Sequence, residues 1–441
     1  MTQTRVPGAG GGPLVSAVRR HLAEAATDAR AAVLFRVPGR IEVLGKHTDY
    51  AGGRSLVGAV DRAFVVGGVP RADGTVHVTD ARTGERCETE LAPDAPARGP
   101  AWSTYLRAVV SRLARNFPSA RTGADIVLAS DLPPASGMSS SSALMVGLFL
   151  VLGTLNDVEA AGPYRSNIAT REDLAAYLAT IENGLSFGTL AGDRGVGTFG
   201  GSEDHTAILL SEAGALKQFS FCPTRHERTI ALPRGVAFAI ASSGVVAEKT
   251  GAARDAYNRA ALAAQRVLQR WNEATGRRDP SLAAACAASG EARALIGTLV
   301  ARGPDGEFTA DALSARFAQF AEESLEIVPR AADALATGDF TRFGRIVDRS
   351  QQLAESCLHN QVPETIALAR GARVLGAYAA SAFGAGFGGS VWALVTDDRA
   401  EAFVERWRER YTNEFPARAA AATFFVTAAG AGAGRIETGT D

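Results

Sequence analysis

The sequence predicts an α+β fold in two domains. Three observations carry that expectation. At 441 residues the chain exceeds what a single hydrophobic core ordinarily serves. Apolar residues recur with strand and helix periods in alternation along it. A polar stretch, Cys222 to Arg228, interrupts that alternation near the middle and is taken as the junction.

The elements follow in order. The opening MTQTRVPGAGGGPL is polar and glycine-rich and lacks the apolar centre of a signal peptide, so residues 1–13 are expected to form a disordered tail. Ile41–Leu44 reads as a strand, as do Val57–Pro70, Thr75–Ala81 and Asp125–Ala129, each bounded by Gly, Pro or Asp. Ala101–Asn116 has apolar residues at helical spacing (Tyr105, Val109, Leu113), and Leu144–Leu155 is apolar on nearly every face, as a buried helix is. Thr170-Arg-Glu-Asp173 resembles a capping box, with Asp in place of Glu, opening a helix striped by Leu174, Leu178 and Ile181. Helical patterns at 251–273, 309–337 and 339–358 follow, with strands at Val236–Ala241, Val391–Thr396 and Ala421–Val426. These assign 14–224 to a first domain, 225–428 to a second and 429–441 to a flexible tail.

Composition narrows the function. The net charge of −1 offers no basic field, so neither nucleic acid nor an anionic membrane is an expected partner. The longest apolar stretch, Ala143 to Leu155, contains glycines and is too short to span a bilayer. Cys87, Cys222, Cys286 and Cys357 form no CxxC pair, which suits free thiols in a reducing, cytoplasmic compartment. No HExxH occurs among the histidines, so zinc hydrolysis has no support.

Three motifs concentrate chemistry. In FRVPGRIEVLGKHTDYAGGRSL, residues 35–56, a strand delivers Lys46, His47, Thr48 and Asp49 before Gly52-Gly53. Such a set either hydrogen-bonds a polyhydroxylated ligand or is an ordinary polar turn. In LPPASGMSSSSALMVG, residues 132–147, Gly137 and four serines lead into the buried helix. Small residues let backbone N–H groups approach an anion, and serine hydroxyls can bind phosphate or ligate Mg²⁺. It is neither a Walker loop nor GxGxxG. In ASAFGAGFGGSVWALV, residues 380–395, a glycine-rich turn feeds an apolar strand, through close approach to a ligand or to a facing loop. Between the second and third motifs, GVGTFGGSEDHTAI (195–208) places Glu203, Asp204 and His205 behind four glycines. A carboxylate there suits a base for a substrate hydroxyl, or else the segment is a solvated surface turn.

In this order and at these separations, the three motifs resemble those of the GHMP small-molecule kinases. GRIEVLGKHTDYAGG looks like the sugar signature of the galactokinase branch, SGMSSSSA like the superfamily's phosphate loop and GAGFGGSVWAL like its third motif. Similarity also runs through residues 338–358, so the match covers most of 34–396. The resemblance implies a two-domain α+β fold with the active site in the interdomain cleft, and an ATP-dependent kinase acting on the anomeric hydroxyl of a hexose. Residue by residue, it implies that Gly137, Met138, Ser139, Ser140, Ser141 and Ser142 wrap the ATP phosphates, and that Ser141 and Glu182 hold Mg²⁺. Asp204 would be the catalytic carboxylate, with Arg40 steadying it and the transferring group. Lys46, His47, Asp49, Gly201 and Tyr257 would hold the sugar.

Three departures qualify this. Lys46 stands where galactokinases carry Glu. The interval from Glu182 to Asp204 is lengthened by SFGTLAGDRG. And Glu203 rivals Asp204, which is preferred because it lies three residues after the second glycine, as in the family pattern. Lys46 also motivates an alternative, a kinase for a uronic acid or sugar phosphate; otherwise it donates to a neutral hydroxyl or pairs with Glu42 or another acid. A non-catalytic sensor of sugar and ATP is the alternative from another class.

Overall fold

The computed structural model describes residues 12–25, 32–133, 136–245 and 251–437. The first half is organised on strands β1 (Val33–Leu44), β2 (Arg54–Arg71), β3 (Thr75–Asp80), β4 (Arg86–Glu90), β5 (Gly123–Ser130), β6 (Ala215–Ser220) and β7 (Arg225–Ala231). The second carries β8 (Val236–Ser242), β9 (Ala379–Phe383), β10 (Ser390–Thr396) and β11 (Thr423–Thr427) in one antiparallel sheet, ordered β11-β8-β10-β9. The chain then returns, and β12 (Gly434–Ile436) joins the first sheet, whose order is β12-β1-β2-β5-β3-β4, with β6 on β2 and β7 on β6.

β1 is buried along almost its whole length, which is why its sequence, VLFRVPGRIEVL, runs apolar on both faces. The polar exceptions are positioned. A shift in register between Pro38 and Arg40 lets Pro38 sit in the strand, where it has no N–H to donate. Beyond it, Arg40 and Glu42 share one face by the strand's period of two. Gly39, at the same irregularity, could not carry a side chain: a Cβ there would lie 2.5 Å from Leu132 Cδ2 and 3.0 Å from Met138 O.

Helix 140–155 is covered on nearly all sides by β1, β2 and helix 103–116, matching its uniformly apolar sequence. Helix 171–183 opens with the expected capping box: Asp173 N donates to Thr170 Oγ1 (3.0 Å) and Thr170 N to Asp173 Oδ2 (2.9 Å). On the second sheet, helices 363–374 and 400–414 enclose a separate core around Trp407 and Phe424. Helices 251–275, 292–301 and 310–322 form another around Trp271 and Phe320. A larger apolar core runs from Phe35 and Leu148 through to Phe383, Trp392 and Phe425, so it is shared by both sheets. Among the described residues no helix is long and apolar enough to cross a membrane.

The expected boundaries shift at three places. Cys222–Arg228 is the turn and start of a hairpin, β6–β7, on the first sheet; the chain leaves that sheet after Ala231, not at 224. The stretch is polar because β7 is an exposed edge strand. Residues 429–437 are ordered rather than a flexible tail: Gly430 N donates to Ala59 O (2.8 Å) and Ala433 N to Ile208 O (2.7 Å). The expected 1–13 tail lies outside the described residues up to Gly11, and Pro13 opens the helix Pro13–Ala25.

Candidate active site

After β1 the chain turns at Gly45–Asp49, where Thr48 Oγ1 donates to Gly45 O (2.8 Å). Helix 310–322 grips this turn from outside: Gln319 Nε2 donates to Lys46 O (2.9 Å) and the Arg316 guanidinium to His47 O. His47, at φ 58°, is left with its ring between Tyr50 Oη (2.9 Å from Nδ1) and Ala385 O (3.0 Å from Nε2), its centroid 5.2 Å from that of Tyr257. Together Arg40, Glu42, His47, Asp49, Glu182, Asn183, Gly200, Gly201, Glu203, Asp204, His205, Tyr257, Gly384 and Ala385 line one cavity, and residues of both halves of the chain contribute.

The acidic segment is not a loose glycine turn. Glu203–Leu210 is a helix, and its first two residues point to different places. Glu203 accepts from Ser55 Oγ and is buried; that burial, beside Glu42 and Asp49, pushes its carboxyl well above the usual range. Asp204 faces Arg40, whose Nε lies 2.8 Å and Nη2 2.7 Å from Asp204 Oδ1. Burial by itself would lower the Arg40 pKa; Asp204, then Glu203 and Glu42, outweigh it and hold the guanidinium above its ordinary value. Arg40 also donates through Nη1 to Gly137 O (2.5 Å), so one side chain ties Asp204 to the serine-rich loop. Gly201 is needed for closeness: a Cβ would stand 2.4 Å from Asp49 Oδ2, which accepts from Glu203 N (3.2 Å).

The serine loop packs on the third motif, where Ser390 Oγ donates to Ser136 O (2.5 Å), and on β1, where Arg40 N donates to Met138 O (3.2 Å). Ser139, at φ 56°, caps helix 140–155. Its hydroxyl and that of Ser140 are buried and have no partner among the described residues. Unpaired hydroxyls at a helix N-terminus suit an anion.

Ser142, not Ser141, faces the carboxylates. Its Oγ lies 2.9 Å from Glu182 Oε2 and 3.4 Å from Asp204 Oδ2. It is the third residue of the helix, and the helical turn aims it at helix 171–183, where Ser141 is rotated away. Two carboxylates and a hydroxyl are hard oxygen donors of the kind Mg²⁺ takes alongside phosphate oxygens, so these residues fit that ion. The lengthened interval after Glu182 does not displace it. Val196 N returns to Glu182 O (2.9 Å), closing the extra residues into a side loop. Fully buried Arg112 holds that loop, donating to Leu185 O (3.0 Å), Thr180 O (2.8 Å) and Asp193 Oδ1 (3.2 Å).

The structure thus brings Arg40, His47, Asp49, Glu182, Gly201, Asp204 and Tyr257 to one cavity, with Gly137–Ser142 alongside. Lys46 is the exception. It is 1% exposed and absent from the cavity wall, with Nζ donating to Ser350 Oγ (3.1 Å), which itself donates to Glu323 Oε1 (2.9 Å). Glu42, named in the sequence only as a possible partner of Lys46, also lines the cavity, as do Asn183, Gly200, Gly384 and Ala385; its alternation with Arg40 could have revealed it.

Comparison with known proteins places this geometry. The profile of the GHMP kinases N terminal domain matches residues 104–199, that of the GHMP kinases C terminal matches 331–413, and the galactokinase galactose-binding signature matches 23–69. The galactokinase of Roseiflexus sp. strain RS-1 is 30% identical over 409 residues, covering 92% of this chain and 93% of that one. The galactokinase of Chloroflexus aggregans is 29% identical, covering 84% and 86%. The solved structure of Lactococcus lactis galactokinase complexed with galactose superposes with a TM-score of 0.77, covering 95% of this chain and 99% of that one at 23% identity, and so shares the fold. Similarity that spans nearly the whole chain, sugar signature included, makes this protein a member of the GHMP kinases in their galactokinase branch.

Proposed function

We propose that the protein transfers the terminal phosphoryl group of ATP to the anomeric hydroxyl of a hexose, with galactose the first sugar to test. The observation that carries this is the Arg40–Asp204 pair, set between the serine loop on one side and His47, Asp49 and Tyr257 on the other. Asp204 orients the attacking hydroxyl and takes its proton as the new O–P bond forms and the bridging P–O bond to ADP breaks. Arg40 counters the charge gathering on the transferring group. The loop N–H groups with Ser139 and Ser140 hold the phosphates. Ser142, Glu182 and Asp204 would hold Mg²⁺, which when bound supplies positive charge to the phosphate oxygens.

His47, Asp49 and the Tyr257 hydroxyl, kept protonated by burial and then by the nearby Asp49, supply donors and acceptors to the ring hydroxyls. The acidic-sugar reading loses its motive, because Lys46 is inside the protein rather than on the cavity wall. Incubation with ATP, Mg²⁺ and a panel of neutral hexoses and uronic acids, with the phosphorylated position read by NMR, tests the reading. A hexose 1-phosphate supports it; ADP release with no sugar product overturns it.

A further inference from the structure

Glu42 occupies the wall of the same cavity, and no step above employs it. It is 3% exposed. Its Oε2 accepts from Gly384 N–H at 3.3 Å, and the Glu203 carboxyl lies within hydrogen-bonding reach. No nitrogen or hydroxyl donor among the described residues reaches Oε1. A carboxylate offers about four acceptor positions, so Glu42 has acceptor capacity to spare. A buried acceptor left unmet is costly, more so if charged, unless a ligand supplies the donor.

The neighbourhood supports it from behind. Lys46 is turned into the protein yet its charge acts on Glu42. Glu323, which accepts from Gly45 N and Ser350 Oγ (both 2.9 Å), closes the network on the far side. The cation that acts on Glu42 is therefore internal and the acid faces the cavity.

We infer that Glu42 accepts a hydrogen bond from a sugar hydroxyl other than the anomeric one, with Lys46 as its buried counter-ion. Glu42 is thus a specificity-determining residue for a neutral polyhydroxylated hexose, and a sugar bearing a carboxylate or phosphate at that position brings no donor to it. This rests on the sugar-kinase reading above.

The test compares kcat/KM for the accepted hexose and for each of its monodeoxy analogues, in the parent and in Glu42→Met. In the parent, deleting one particular hydroxyl lowers kcat/KM by about tenfold or more; in Glu42→Met that penalty shrinks to about threefold or less, while the other analogues keep theirs. Should the single variant leave Lys46 unpaired and fail to fold, Glu42→Met/Lys46→Met, apolar at both positions, is read the same way. A lower melting temperature for Lys46→Met than for the double variant supports the counter-ion role; the reverse order overturns it. Identical deoxy-sugar penalties in parent and variant overturn the role of Glu42 alone. A parent that phosphorylates no hexose overturns the function, and this inference with it.

Discussion

At Asp204 and Glu203, adjacent residues of one helix have opposite surroundings, and this sets their chemistry. Asp204→Asn keeps the shape but removes the proton acceptor and the negative charge that faces Arg40, so kcat falls by about 10²–10⁴-fold. Glu203→Gln replaces an acid whose charged form burial disfavours and which faces Ser55 rather than Arg40, and kcat stays within about fivefold of the parent. Steady-state kinetics on the two variants checks this; equal losses would remove the distinction. A second prediction concerns pH. Burial, only partly offset by Lys46 and Arg40, pushes Glu42 up to about 7. Its folded-state pKa lies above the unfolded one, so the contribution of the neutral acid is complete below about pH 4.5 and is lost as pH rises through 7. The melting temperature of the parent should therefore decline relative to Glu42→Met between pH 5 and 8; parallel curves would contradict the shift. Residue types were readable in the sequence, as Arg40, His47, Asp49 and Asp204 attest. Which way a side chain turns was not: Lys46 follows strand β1 through a turn whose direction is set by Arg316 and Gln319, some 270 residues away.

Elements show the same division. Helix 140–155 after the serine loop and the capped helix 171–183 were legible because periodicity and capping are local. The serine that faces Glu182 was not, since four consecutive serines look alike until helical rotation separates them. Ser142→Ala should raise the Mg²⁺ concentration needed for half-maximal activity by about tenfold, and Ser141→Ala by less, in a Mg²⁺ titration at saturating ATP. The side loop after Glu182 is held by the buried Arg112–Asp193 pair. Arg112→Met strands that carboxylate, and chemical denaturation should register a loss of about 3–5 kcal/mol. The sequence around Arg112 reads as an ordinary amphipathic helix, so only its tertiary partners single it out.

Across the whole molecule, the α+β class and the two-part organisation were apparent from alternating patterns, and the seam was misplaced because a polar edge hairpin has the composition of a linker. The last strand was missed for a related reason: three residues among glycines carry no periodicity, and β12 exists only because β1 presents an open edge to it. That edge has a consequence for biosynthesis. Strand β1 holds Arg40 and Glu42, yet it emerges from the ribosome about 390 residues before its partner, β12. At roughly 5–20 residues per second, a long apolar strand stays uncovered on one side for about 20–80 s, the setting in which a nascent chain depends on chaperones.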